Sequence, residues 1–149
     1  MISIKLAEEK FSQNVFVEFC QRKKLKFPQQ FTRFLSQYND GELGVNIVEG
    51  FNECCVRYFY GTTSESYSNI EDVYECFKGR MPNNCIPIAE SEGGNLVCIS
   101  LDSKTYGKLY FWDHETMDVD EDEECKYSIE DMQLIANSFD ELLKKIVAC

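Results

Sequence analysis

Residues 86–113 read IPIAESEGGNLVCISLDSKTYGKLYFWD, and the fold turns on how this run is parsed. Three apolar stretches are separated by two polar, glycine-bearing ones. IPIA at 86–89 predicts a short strand, with Pro87 near a sheet edge or at a bulge because it cannot donate to a ladder. SEGGN at 91–95 predicts a hairpin turn, and LVCISL a strand that is either fully buried or alternating. DSKTYG is a second turn and KLYFWD a third strand. Short turns between consecutive strands mean antiparallel pairing, since parallel neighbours need a long crossover.

Working outward, the flanks are helical. Phe11, Val15, Phe16, Phe19 and Cys20 recur at helical spacing over 12–23, with Ser12 as N-cap. Phe27, Phe31, Phe34, Leu35 and Tyr38 form a second apolar stripe that starts at Pro28 and stops at Asn39-Asp40-Gly41. The short LKF link folds these two helices against each other. LGVNIV predicts a strand with Leu43, Val45 and Ile47 on one face, and CCVRYFYG one with Val56, Tyr58 and Tyr60 on one face and Arg57 on the other. Ile70, Val73, Tyr74 and Phe77 mark a short helix capped at Ser68 or Asn69 and closed by Gly79. Ser138 and Glu141 predict a capping box for a last helix that buries Phe139, Leu142, Leu143, Ile146 and Val147. The sum is an α+β domain over 1–149: a mostly antiparallel sheet with helices on one face, an N-terminal helix pair and a C-terminal helix.

The composition bounds the function. Hydrophobic residues are 44% of the 149, enough for a core. Several of the eight cysteines lie in apolar runs, such as Cys98 and Cys20, and the start MISIKLAEEKF has no leader pattern. Buried, reduced thiols and a cytoplasmic location are expected. The net charge is −11, and eight acids with no Lys or Arg fall between Asp113 and Glu124. Such a chain repels nucleic acid and anionic membranes and attracts basic proteins.

Specific chemistries fail one by one. His114 is the only histidine, flanked by Asp113 and Glu115, but no nucleophile motif accompanies it. Zinc finds no C-x-x-C. An EF-hand read from Asp118 has Glu123 where glycine belongs and Ile129 where the closing glutamate belongs. Read from Asp120, it has Cys125 and Asp131 there. Gly93-Gly94 alone makes no phosphate loop. No catalytic residue, metal or cofactor is therefore assigned. The candidate partner-binding residues are Asp113, Glu115, Asp118, Asp120, Glu121, Asp122, Glu123 and Glu124, with Trp112 as an aromatic anchor if part-exposed. Two readings of the acids stand: a steering surface for a basic partner, or a mobile solvated loop that only keeps the domain soluble.

Four segments in order resemble the SUKH superfamily, which includes yeast glucan-synthesis (cell-wall) regulators and bacterial immunity proteins. They are Phe27-Pro28 through Phe31, Phe34-Leu35 and Tyr38-Asn39-Asp40-Gly41-Glu42; Ile86-Pro87-Ile88 with Gly93-Gly94-Asn95; Gly107 to Glu115; and Ile135 to Leu143. Asp40 stands where the family shows glycine and Phe27 where it shows leucine, and the acidic block is longer than the resemblance leads one to expect. The resemblance implies an α+β fold without enzymatic activity. It further implies an immunity protein that silences a polymorphic toxin, often a nuclease or deaminase, or else a regulatory scaffold of cell-wall synthesis.

Overall fold

A computed structural model describes residues 3–51, 54–120 and 122–148. In it the run 86–113 becomes the middle of a sheet. In chain order the elements are β1 (Ile4–Lys5), α1 (Gln13–Lys23), α2 (Gln29–Gln37), β2 (Glu42–Leu43), β3 (Asn46–Val48), β4 (Tyr58–Phe59) and α3 (Ile70–Phe77). Then follow β5 (Cys85–Glu90), β6 (Leu96–Ser100), β7 (Leu109–Trp112), α4 (His114–Met117), β8 (Gln133–Ala136), α5 (Phe139–Lys145) and β9 (Ile146–Ala148). Among the described residues, seven strands pair antiparallel in the order β1-β2-β4-β5-β6-β7-β8, and β3 pairs with β9 apart from them. The fold is α+β.

Every residue of β6 and β7 is buried, so both faces of the sheet are covered. The helices do not share one face. Directly paired residues point the same way: Phe59 opposite Ala89, Ala89 opposite Val97, and Val97 opposite Phe111. On that face Phe34 of α2 and Phe139 of α5 pack on Phe59, at ring separations of 4.7 and 5.7 Å. Trp112 follows Phe111 and points to the opposite face, where Phe77 of α3 meets it edge-on at 5.4 Å. The continuous LVCIS run was the sequence signal for this double cover.

Local chemistry places the helices as expected. Ser12 caps α1 by accepting from the Val15 amide, and Phe16 and Phe19 turn inward. Asn69, not Ser68, caps α3. Ser138 caps α5 by accepting from the Glu141 amide, while Glu141 returns a bond to the Asn137 amide rather than to the cap residue itself.

Pro87 sits at a bulge, as expected, although in an inner strand: the β5–β6 register slips between Pro87 and Ala89. Two expectations shift. Over 43–48 the parity is reversed past Leu43: Asn46 and Val48 are buried and Val45 is 81% exposed. The cause is Asn46, whose amide donates to the Val56 carbonyl at 2.7 Å and accepts from the Val56 amide at 2.9 Å. That clamp occupies the backbone around Val56, so the regular strand starts only at Tyr58. Phe59 and Tyr60 are buried while Tyr58 is part-exposed. Finally, Val147 is not on a helix. α5 ends at Lys145 and the β-branched pair Ile146-Val147 continues as β9.

Asp40, the departure in the helix-ending turn, carries the left-handed conformation there at φ 55°. Its Oδ1 is buried without a hydrogen-bond partner. Desolvation, helped by Glu9 and Glu42, pushes its carboxyl up to about 6, against a smaller lowering by a hydrogen bond with Ser68. A carboxyl raised in the folded state binds its proton more tightly there than when unfolded. Its charging therefore costs stability as pH rises from the ordinary carboxylate range through about 6, and the cost is complete at neutral pH. Asp40→Asn keeps the shape and tolerates the same φ. It should raise Tm by a few degrees at about pH 7.5 and leave it unchanged at about pH 4, as read by thermal melts at both pH values.

Candidate interaction surface

The acidic stretch begins where β7 ends. Trp112 is fully buried, so it is not the exposed anchor that a docking surface needs. Its indole N–H instead donates to the Tyr127 hydroxyl at 2.8 Å, tying the far end of the acidic stretch to the sheet.

Beyond Trp112 the chain does not continue extended. Asp113 Oδ1 accepts from the Glu115 amide at 2.9 Å and starts the single turn α4. His114 donates twice to Asn95 Oδ1, from its backbone N–H at 3.0 Å and from Nδ1 at 2.7 Å. The ring lies over Gly94 of the β5–β6 turn. A histidine acts as a general base only with a nucleophile or substrate proton within reach, whatever group orients its ring. This ring is oriented by an amide and latches one turn to another. Thiols offer no substitute at the core: burial pushes Cys54 up to about 12 and Cys98 well above its ordinary value.

Asp118 is not a surface acid either. Its carboxylate takes a two-point ion pair from Arg80, with Nε at 3.0 Å from Oδ1 and Nη2 bonded to Oδ2. Arg80 holds that carboxyl below the usual carboxylate range. The guanidinium also stacks on the Phe77 ring at 4.5 Å, and Phe77 in turn meets Trp112. At the other end, the Cys125 amide donates to the Gly79 carbonyl at 2.8 Å. Between these points the Glu123 amide donates to the Asp120 carbonyl at 2.9 Å, closing a turn.

The nine candidates thus divide. Trp112, Asp113 and Asp118 are used inside the protein. Glu115, Asp120, Asp122, Glu123 and Glu124 are exposed and take part in no ion pair among the described residues. Glu121 lies outside the described residues. Arg80 and Tyr127 were not singled out from the sequence. Their partners stand 38 and 15 residues away, and no spacing rule links them. Among the described residues no cluster of three or more His, Cys, Asp or Glu is arranged to hold a metal ion. A groove of about 810 Å³ runs beside the C-terminal end of the stretch, with Lys78, Lys104 and Lys126 set among Asp102, Glu124 and Glu130.

The model of the SMI1/KNR4 family (SUKH-1) matches residues 10–145, which spans all four segments quoted above together with the acidic stretch. The chain belongs to the SMI1/KNR4 (SUKH-1) family. A curated relative is the SPbeta prophage-derived uncharacterized protein YokK of Bacillus subtilis (strain 168), 37% identical over 89 residues. That alignment covers 60% of this chain and 40% of the relative, so the chain spans well under two thirds of the relative's length. No helix among the described residues is long and apolar enough to cross a membrane.

Proposed function

We propose that this SUKH-1 chain is a non-enzymatic binding protein of the cytoplasm. On this reading it neutralises a cognate toxin domain of the nuclease or deaminase class by covering its basic, nucleic-acid-binding surface. One observation carries the reading: Asp120, Asp122, Glu123 and Glu124 are exposed carboxylates, close together in sequence and in no ion pair among the described residues. Acid at that density repels itself, which favours a cationic partner, and carboxylates there stand in for the phosphates such a toxin binds. Family membership supports an immunity or regulatory role, and a relative of prophage origin fits a gene carried with a toxin.

The test is genetic. Where a large protein is encoded beside this gene, its C-terminal domain is induced in a host with and without this chain. Growth restored only in its presence is expected. A neighbourhood without any toxin, or a toxin left unaffected, favours the regulatory scaffold instead.

A further inference from the structure

The two ends of the acidic segment are fastened to adjacent residues. Asp118 is held by the side chain of Arg80, and Cys125 by the carbonyl of Gly79. Gly79 takes φ 86°, a conformation that few other residues adopt, at the turn that follows α3. The stake itself is braced. Arg80 rests on Phe77, Phe77 on Trp112, and Trp112 bonds Tyr127 just past Cys125. Ser128 and Asp131 then cap each other, and Ile129 is buried beyond them. A run of like charges left to itself extends and samples many shapes. Here one cation, placed at its root, opposes that.

We infer that Arg80 is the positioning residue of the acidic surface: by anchoring Asp118 beside the Gly79–Cys125 bond it presents Asp120, Asp122, Glu123 and Glu124 as a preformed rim for a basic partner. The binding half of this inference rests on the proposed function, and the anchoring half does not. Preforming matters because each group ordered on binding subtracts from affinity. It acts on dissociation, whereas charge acts mainly on association.

Arg80→Gln separates the two, because they predict opposite signs. Losing a cation makes the surface more negative, so charge alone predicts tighter binding of a cation. Loss of the anchor predicts looser binding. In the full-length chain, hydrogen exchange at the Val119 and Cys125 amides should accelerate at least about tenfold in Arg80→Gln, and in Asp118→Asn as well. The two substitutions together should add little to either alone, since they break one pair. With octalysine as a cationic probe at low salt, dissociation from Arg80→Gln should be at least about threefold faster than from the wild type. Unchanged exchange, or tighter octalysine binding by Arg80→Gln, overturns the inference. If octalysine does not bind the wild type, or binds equally well after Asp122→Asn, Glu123→Gln and Glu124→Gln, the acidic-surface reading fails instead. The exchange measurement still decides what Arg80 does.

Discussion

Phe139→Ala should cost about 3–5 kcal/mol of folding stability, the range for truncating a fully buried aromatic. Phe139 is 1% exposed and meets Phe31, Phe34 and Phe59 at ring separations of 5.3, 5.1 and 5.7 Å. Those neighbours belong to α2 and β4, so one side chain joins the N-terminal helix pair, the sheet and the C-terminal helix. The void left by its removal is walled by three aromatic rings, and rings collapse poorly into a gap. With total stability typically about 5–15 kcal/mol, the loss is a large fraction of the whole. Urea unfolding should show a lower midpoint with an unchanged slope. Leu134→Ala is the control. Leu134 is 39% exposed on the edge strand β8, and its truncation should cost well under about 1 kcal/mol. Equal costs for the two would mean that α5 does not close the core.

Where the apolar pattern and the punctuation agreed, the sequence was a reliable guide to the fold. Ser12 and Ser138 cap helices as their spacing indicated, and the two turns around LVCIS make the central hairpins. The pattern misled where one buried polar group overrode it. Asn46 satisfies both backbone groups of Val56, and the strand parity on either side follows that bond rather than the apolar count. β9 was hidden because Ile146 and Val147 continue the periodicity of α5. Only the partner strand β3, a hundred residues earlier, distinguishes the two. At the surface, composition located the acids but could not sort them. Asp113 and Asp118 look the same as Asp120 and Asp122 in the sequence. A cap bond to Glu115 and an ion pair to Arg80 separate them in the structure.

That sorting sets the largest expected effect on binding. Neutralising the exposed set (Asp120→Asn, Asp122→Asn, Glu123→Gln and Glu124→Gln) leaves the cap, the Arg80 pair and the core untouched. Stability should hold or rise slightly, since self-repulsion is relieved. Association with a basic toxin domain should slow. Steered encounters run to about 10⁸ M⁻¹s⁻¹ or more at low salt, and unsteered ones at about 10⁵–10⁶ M⁻¹s⁻¹. A loss on the order of 100-fold is therefore expected at low salt, shrinking as the Debye length falls to about 3 Å near 1 M. Asp113→Asn serves as a contrast, because Asn also caps helices and the acid there faces its own turn.

The most direct measurement is stopped-flow association of this chain with the toxin domain that the proposed function assigns to it, at low and high salt, for the wild type and the fourfold neutral variant. The account predicts fast, salt-sensitive association for the wild type, and slow, nearly salt-insensitive association for the variant. Equal rates for the two proteins at low salt would contradict it.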